Sequence, residues 1–403
     1  MTQTTTEPDR RQTVARDIKL VGLVSASHGM SHFYQLVLPP IFPLLTVAYD
    51  VGYAELGLVV SLGYVVAGLL QTPAGMLVDR LGAGRMLVGG LALYAGATLL
   101  IGLAPGFWWL APLSIAAGLG DCVFHPADYA IMTARVEASR LGRAYGLHSL
   151  AGNIGWVAAP FSVLGLAALF GWRTALAILG AAGLLFALYL LSQRSVLGDP
   201  PAARRPAAAP GRPGVLLSPP ILMCFAYFAL LAIALTGLQT FLPSAVPAAF
   251  GVSITTANLL LTSFLLASSL GVLIGGVVAD RFPHHHLVVA VGLAAGAAFS
   301  LLFALAALPV AALLACASLA GLALGGTSPA RDMLVRRATP PGATGKVFGF
   351  VYSGLDLGAV IATPLLGLLI DDGLPRLVFV VAAVALVAAI ATAFLLGAER
   401  EAA

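Results

Sequence analysis

The sequence predicts an all-α membrane protein with twelve transmembrane helices in two pseudo-symmetric, six-helix halves. Three observations point to this fold. The chain of 403 residues is 60% hydrophobic and only 9% charged, whereas soluble domains are about one-quarter charged. Its apolar runs are as long as a helix that crosses a bilayer, which needs roughly 20 residues. Its motifs recur in the same order in the second half of the chain, which indicates a tandem duplication.

The duplicated motifs are specific enough to align the two halves. GMLVDR at Gly75–Arg80 recurs as GVVADR at Gly276–Arg281, and the pattern Q-x-x-L-P-x-x-x-P begins at both Gln35 and Gln239. Further equivalent pairs are Pro126 and Pro329, Gly146 and Gly349, Asn153 and Asp356, and Gly155 and Gly358. Parallel repeats of a helical bundle are typical of secondary transporters, which bind substrate between the halves.

Each predicted helix is an apolar run bounded by charged residues, proline or glycine. Because the runs are uniformly apolar rather than alternating, they predict helices and exclude membrane-spanning strands. The N-terminal half, residues 18–192, has runs near 18–47, 54–79, 85–104, 107–135, 142–169 and 172–192. The C-terminal half, residues 219–397, has runs near 219–249, 254–281, 286–306, 309–336, 345–370 and 374–397.

The remaining segments are predicted to be tails and a linker. Residues 1–17 are polar and basic and show no cleavable signal, residues 193–218 are rich in proline, alanine and arginine, and residues 398–403 form a short end. Basic residues lie mainly before the first run and in alternate loops, while the other loops hold only Arg173 and Arg376 as basic residues. The positive-inside rule therefore predicts that both tails and the linker are cytoplasmic.

Three other classes of interpretation are disfavoured. The net charge of +4 is spread over several loops, so it does not indicate a nucleic-acid surface. Cys122, Cys224 and Cys316 lie inside apolar runs without paired spacing, which argues against a disulfide or a zinc site. No nucleophile–base pair, phosphate-binding loop or nucleotide motif is found, so an enzyme is not predicted, and neither is a cofactor.

The duplicated G-x-x-x-D-R motif ends the second and eighth helices at the predicted cytoplasmic side. Glycine lets helix backbones approach closely, and Asp79 can accept hydrogen bonds at the N-terminus of a neighbouring helix. We expect such contacts to latch the halves together on that side; the alternative is an ordinary charged helix end. The recurrence favours a latch formed by Gly75, Asp79, Arg80, Arg85, Asp280 and Arg281. In the second copy Pro283 and His284–His286 follow, and this triplet is interpreted as a solvated turn rather than a metal site.

Polar residues inside the predicted helices are the candidates for function, because ionisable groups at bilayer depth cost several kcal/mol unless they are paired or line a cavity. Helical spacing aligns Ser27, His28, Ser31, His32 and Gln35 on the first helix and Asp121, His125 and Asp128 on the fourth. The substrate-binding candidates are His28, His32, Gln35, Asp121, His125, Asn153, Tyr352 and Asp356. The proton-coupling candidates are Asp121, His125, Asp128 and Asp356.

Several candidates have structural alternatives. His125 precedes Pro126, so its imidazole could satisfy a carbonyl that the proline frees. Asn153 could bridge helices instead of binding a ligand. Asp128 and Asp332 lie closer to the cytoplasmic ends and are interpreted mainly as members of structural ion pairs with Arg135, Arg331 and Arg336. The fifth helix also offers His148, and the tyrosines Tyr34, Tyr64 and Tyr129 could line a cavity or only pack.

These features resemble the major facilitator superfamily over almost the whole chain. Within it, four segments are similar to the fosmidomycin-resistance branch: Ser31-His32-Phe33 with Gln35, Leu69-Leu70-Gln71-Thr72-Pro73, Phe124-His125-Pro126, and Gly152-Asn153-x-Gly155. Members of the branch are inner-membrane exporters, named after a small phosphonate antibiotic, and they usually carry an acid directly after the His-Pro pair. This chain has Ala127 there, followed by Asp128. The resemblance implies a bacterial inner-membrane monomer whose first, fourth, seventh and tenth helices line a central cavity, with His32 opposite His125.

The favoured hypothesis is a secondary active transporter that works by alternating access. It would export a small anionic or zwitterionic metabolite or drug by proton antiport, with His32, His125 and Gln35 on the substrate and Asp121, Asp356 or a histidine on the proton. Its partners would be the substrate, protons and the lipid bilayer. One alternative is uniport or proton-symport uptake of a small organic acid, since a fold does not fix direction. The other is transport of a metal or metal chelate by His28, His32, Asp121, His125 and Asp128.

Overall fold

The computed structural model describes residues 10–198, 215–305, 308–340 and 344–398. Residues 1–9, 199–214 and 399–403 of the predicted tails and linker lie outside the described residues, whereas residues 10–17 of the predicted N-terminal tail and 194–197 of the predicted linker are helical. The N-terminal half consists of α1 (Arg10–Gln35), α2 (Phe42–Tyr49), α3 (Tyr53–Leu81), α4 (Ala83–Leu103), α5 (Leu110–Asp121), α6 (Phe124–Arg135), α7 (Leu141–Phe170), α8 (Trp172–Ser192) and the short α9 (Arg194–Leu197). The C-terminal half consists of α10 (Pro219–Leu235), α11 (Leu242–Phe250), α12 (Ile254–Arg281), α13 (His285–Leu305), α14 (Val310–Ala338), α15 (Thr344–Asp371) and α16 (Leu377–Ala398).

These helices confirm the predicted all-α membrane fold. In the described part of the chain, eleven helical segments are long and apolar enough to cross a membrane. The first predicted span is not among them because α1 carries the polar stripe of Ser25, Ser27, His28, Ser31 and His32 on an otherwise apolar helix. Together with α2 it completes the predicted set of twelve spans in two halves.

Three spans are interrupted near their polar residues. In the first span α1 ends at Gln35, and a 3₁₀ turn at Pro39–Ile41 leads into α2. In the seventh span a π-helical turn at Thr236–Thr240 separates α10 from α11. Both breaks coincide with the duplicated Q-x-x-L-P pattern, whose proline lacks the N–H that a continuous helix needs. In the fourth span α5 ends at Asp121 and α6 begins at Phe124, just before Pro126.

The two halves are joined by contacts at the end of the bundle opposite the arginine-rich loops. The backbone N–H groups of Tyr53 and Ala54, at the start of α3, each donate to the Asp371 carboxylate at 2.8 Å. About two turns further along, the hydroxyls of Ser61 and Thr363 are 2.6 Å apart. Gly57 lies directly against the backbone of Thr363, so α3 and α15 approach closely because this position has no side chain.

The interior between the halves is accessible from the arginine-rich end. His125 is exposed although it lies inside the bundle, and Tyr129, one turn later on α6, is 46% exposed. Tyr129 lies near Asp332 and Tyr352 of the C-terminal half, which face it across the interior. The arrangement is therefore closed at the end where Asp371 caps α3 and open at the arginine-rich end.

Candidate functional site

Four histidines of the N-terminal half converge on one place in the interior. The His28 ring stacks on His148 with centroids 3.8 Å apart, and lies 4.3 Å from His32 and 5.3 Å from His125. These side chains come from α1, α6 and α7. Gly152 of α7 makes the cluster possible, because a Cβ there would lie 2.9 Å from the ring of His32 and 3.0 Å from His28 Nε2.

Asp128 lies buried against this cluster. Its Oδ2 is 3.4 Å from His28 Nδ1 and 3.7 Å from His148 Nε2, and the residue is fully buried. Among the described residues, neither carboxylate oxygen has a hydrogen-bond partner, and the same holds for His28 Nδ1 and both ring nitrogens of His148. Buried polar atoms are normally satisfied because an unpaired one is costly. These atoms of the cluster are therefore free to take up a proton, a water molecule or an ion.

A chain of contacts connects the histidines to a second acid. The rings of His32 and Trp156 stack at 4.3 Å with an angle of 30° between their planes. Trp156 Nε1 donates to Gln35 Oε1 at 3.2 Å, and Gln35 Nε2 donates to the Asp121 carboxylate at 3.2 and 3.3 Å. The amide of Gln35 thus has a fixed orientation between an aromatic donor and an acid.

Asp121 also faces a small cavity within the N-terminal half. This cavity of about 60 Å³ is lined by Gln35, Asp121, several apolar residues and the polar groups of Tyr34, Tyr64, Tyr94, Thr98 and Ser114. A cavity of this size has room for water, and its lining, although mostly apolar, includes polar side chains that a water molecule could bind. It extends from Asp121 towards Pro39, that is, towards the end at which the halves are joined.

The C-terminal half supplies an acid near Asp121 and a separate polar group nearer the arginine-rich end. Asp356 of α15 packs on Gly68 of α3, where a Cβ would lie 2.9 Å from Asp356 Cβ. Tyr64, one turn before Gly68 on the same face of α3, lines a cavity together with Asp121, so Asp356 packs next to the helix turn that borders Asp121.

In the second group, Asp332 Oδ1 accepts hydrogen bonds from Arg331 Nε at 2.9 Å and from the hydroxyl of Tyr352 at 3.1 Å. The guanidinium of Arg331 also lies 4.7 Å from the centre of the Phe228 ring. Cation–π contact of this kind stabilises a charged side chain inside a bundle.

The structure brings most, but not all, of the predicted site residues together. His28, His32 and His125 form the cluster, Gln35 bonds to Asp121, and Asp356 packs on Gly68 of α3. Asn153 is apart from them, because its Nδ2 donates to the carbonyl of Ser149 on its own helix at 3.1 Å. Tyr352 belongs to the Arg331 group.

The interpretation of Asp128 as a partner of Arg135 is wrong. Arg135 Nη1 instead donates to the carbonyl of Val196 at 3.4 Å, while Asp128 turns towards α1 and α7. The expected ion pair of Asp332 with Arg331 is present.

His148 and Trp156 are missing from the predicted site. Their spacing carried a signal, because His148, Gly152 and Trp156 recur every four residues and so share one face of α7.

Five of the six predicted latch residues lie towards the arginine-rich ends of α3 and α12, and Arg85 lies in the first turn of α4. Gly75 lies beside Pro126 of α6, with 3.8 Å between the position of a Cβ and Pro126 Cβ. Asp79, Arg80, Asp280 and Arg281 are exposed, and none of them forms an ion pair with another described residue. Because this end is open, the latch stays a prediction for the conformation in which it closes.

The His284–His286 triplet differs from a simple solvated turn, since His285 is buried.

Comparison with known proteins identifies relatives of the chain. The family model for the Major Facilitator Superfamily matches residues 24–247 and 238–403. The fosmidomycin resistance protein of Escherichia coli (strain K12) is 25% identical over 375 residues, covering 90% of this chain and 89% of that protein. An uncharacterized MFS-type transporter of Mycobacterium tuberculosis (strain ATCC 25618 / H37Rv) is 31% identical over 170 residues, covering 42% of this chain and 41% of its own.

Solved structures share the fold. A bacterial homolog of the human lysosomal transporter Spinster, in an inward-facing and occupied conformation, superposes with a TM-score of 0.80 at 18% identity and covers 97% of both chains. The nucleoside transporter NupG superposes with a TM-score of 0.75 at 14% identity, covering 94% of this chain and 99% of its own.

Proposed function

The chain belongs to the Major Facilitator Superfamily, and on that premise we propose that it is a proton-coupled exporter of a small anionic or zwitterionic metabolite or drug. It resides in a bacterial inner membrane as a monomer, with both termini in the cytoplasm. The concentration of arginines in alternate loops supports this orientation. In the open conformation, the cavity then faces the cytoplasm, where an exporter loads.

The groups that face this cavity suit an anion. His125 is exposed to it from the N-terminal half, and His32 is partly accessible beside it. Across the interior, Arg331 supplies a permanent positive charge, held in place by Asp332 and Phe228. A guanidinium binds carboxylate or phosphate-like groups through two parallel hydrogen bonds. The similarity to a fosmidomycin resistance protein supports a substrate of phosphonate-like chemistry.

One series of contacts directly supports the proposed coupling between substrate and proton. His32 stacks on Trp156, Trp156 donates to Gln35, Gln35 donates to Asp121, and Asp356 of the other half packs next to the helix turn that borders Asp121. A substrate that binds His32 or Gln35 is therefore connected to Asp121 through the hydrogen bonds of Trp156 to Gln35 and of Gln35 to Asp121. Protonation of Asp121 weakens its bond to Gln35, because a neutral carboxyl is a poorer acceptor than a carboxylate.

In this proposal, transport follows because the substrate and the proton compete through this series of contacts. Substrate enters the open cavity while Asp121 is ionised and holds Gln35. After the halves rock, a proton from the periplasm reaches Asp121 or Asp356, the bond to Gln35 weakens and the substrate is released. Return of the protonated carrier to the inward-open conformation delivers the proton to the cytoplasm, and alternating access of this kind needs no large change within either half.

The test is transport of fosmidomycin into inverted membrane vesicles. We expect uptake when the vesicle interior is acidic and loss of uptake when the pH gradient is collapsed. Trp156→Phe keeps the aromatic ring beside His32 but removes the N–H donor, so we expect it to lower the proton-driven rate by about tenfold, consistent with roughly 1–3 kcal/mol for an unpaired buried polar group.

Trp108→Phe is the matched control, because Trp108 is 78% exposed and far from Gln35 in the chain. Uptake that persists with the pH gradient collapsed and reversed would contradict antiport. Accumulation of a small organic acid by intact cells when the external pH is lowered would instead establish symport.

A further inference from the structure

We propose that His28, His125, His148 and Asp128 form a binding site for a divalent transition-metal ion. The site lies within the N-terminal half, on α1, α6 and α7, and goes beyond the proposed transport of an anion. It differs from the set of metal ligands that the sequence suggested, because His148 takes part whereas His32 and Asp121 do not.

The spacing of the ligand atoms matches a metal site. One ring nitrogen from each of His28, His125 and His148 lies within 4.8 Å of the others. Asp128 Oδ2 is 3.4 Å from His28 Nδ1 and 3.7 Å from His148 Nε2. Ligands that bind zinc tetrahedrally at roughly 2.0–2.2 Å are themselves about 3.3–3.6 Å apart. Asp128 lies beside this group of three rather than within it, and His28 and His148 are stacked, so the proposed site requires rotation of these side chains to bring three nitrogens and one oxygen around a single ion.

The unsatisfied polar atoms point to a cation rather than to packing. Asp128 is fully buried, and neither of its oxygens has a hydrogen-bond partner in the part of the chain that the structure describes. His28 is 4% and His148 is 2% exposed, and the nitrogens that face Asp128 are also without partners. A buried carboxylate without compensation is strongly unfavourable. A divalent ion would satisfy the carboxylate and the imidazoles at the same time.

The ligand types select the class of ion. Imidazole nitrogen with one carboxylate oxygen suits Zn²⁺, Co²⁺ and Ni²⁺, whereas Mg²⁺ and Ca²⁺ require mostly oxygen ligands. His125 is the one exposed ligand, so an ion can enter from the central cavity and keep a coordination position open to it. The buried ligands His28, His148 and Asp128 define the inner side of the site.

The experiment measures metal binding by the full chain, purified without a histidine tag and stripped with a chelator. His284→Ala/His286→Ala serves as the background, because the His284–His286 triplet offers a second, partly exposed set of nitrogens. We expect this background protein to bind one equivalent of Zn²⁺ by calorimetry, to show the absorption of tetrahedral Co²⁺, and to gain thermal stability with the metal.

Two variants test which residues bind the metal ion. Asp128→Asn and His148→Ala should each weaken Zn²⁺ binding by about tenfold or more, and both should lose the Co²⁺ spectrum. Asp128→Asn preserves shape and removes a buried charge, so it is expected to fold. Asp121→Asn is the matched control, since Asp121 is an acid of the same half that bonds to Gln35 instead, and it should bind Zn²⁺ like the background protein.

The proposal is overturned if the background protein binds no Zn²⁺ or Co²⁺, or if Asp121→Asn and Asp128→Asn weaken binding equally. Absence of metal binding would mean that the cluster holds protons only. Because none of these measurements involves a transported substrate, their failure leaves the export proposal standing, and failure of export leaves the metal site standing.

Discussion

At the scale of single residues, Gly152 determines how closely the histidines can approach one another. A side chain at this position would meet two rings, His32 and His28, at 2.9 and 3.0 Å. Gly155, one turn later, lies against the backbone of Gly29 on α1. The two glycines let α7 pack directly on α1, which brings His148 over His28.

Gly152→Ala is therefore expected to separate the histidines. Overpacking of a tight contact costs about 1–3 kcal/mol, so the thermal midpoint should fall, and Zn²⁺ affinity should fall with it. Gly165→Ala on the same helix is the control, because nothing lies within 4 Å of a Cβ there and alanine favours a helix over glycine. Equal thermal midpoints for the two variants would show that Gly152 does not set the spacing.

The part of the site that follows helical periodicity could be predicted from the sequence. His28, His32 and Gln35 form one stripe on α1, and the structure keeps them on one side. Asn153 is adjacent in sequence to Gly152, so its side chain points about 100° away from that position around the helix. The sequence does not show which of these two faces of α7 meets the histidines, and Asn153 could therefore not be excluded. The partner of Asp128 depends on how α6 rotates against α1, and this rotation is a property of packing that one sequence does not reveal.

At the scale of helices, the N-terminus of α3 is held by an acid from the other half. Tyr53 and Ala54 are its first two residues, and their N–H groups have no partner within the helix. Asp371 accepts both, with one oxygen for each. The sequence predicted a latch at the arginine-rich ends of α3 and α12, whereas this contact lies at the opposite end. It was missed because hydrogen bonds to backbone N–H groups leave no motif in the partner segment.

Asp371→Asn should weaken closure at this end. A carboxylate at a helix N-terminus contributes about 0.3–1 kcal/mol, so the population open at this end should rise by about two- to fivefold. Spin labels at Val47→Cys and Leu374→Cys, both exposed and in opposite halves, should report longer distances. Asp372→Asn is the neighbouring control and should leave the distances unchanged. If both variants give the same distribution, Asp371 does not hold the halves together.

At the scale of the whole molecule, the duplication preserves the fold but not the chemistry. Asp128 in the first half corresponds to Arg331 in the second, and His125 corresponds to Ser328, counted from the equivalent prolines Pro126 and Pro329. The shared helices and glycines let the fold be predicted from sequence alone. The site could be predicted only in part, because it depends on residues that differ between the repeats and on contacts between the halves.

The orientation of this bundle in the membrane is open to a direct test. Ser139 lies in an arginine-rich loop and Asp372 at the opposite end, and both are exposed. An impermeant maleimide added to intact cells should label Asp372→Cys but not Ser139→Cys, since positive loops remain in the cytoplasm. Cys122, Cys224 and Cys316 are buried, so they give little background. The reverse pattern of labelling would invert the proposed topology and with it the direction of loading.

Rocking of the two halves can be arrested at their closest polar contact. The hydroxyls of Ser61 and Thr363 are 2.6 Å apart on α3 and α15, so Ser61→Cys with Thr363→Cys should place two thiols within reach of a disulfide. The bond would keep this end closed, and oxidised protein should bind substrate in the cavity but not transport it. Reduction should restore transport, and Ser61→Cys alone should be insensitive to oxidant. Transport that continues at full rate in the cross-linked protein would contradict alternating access, because the substrate would then cross without separation of α3 from α15.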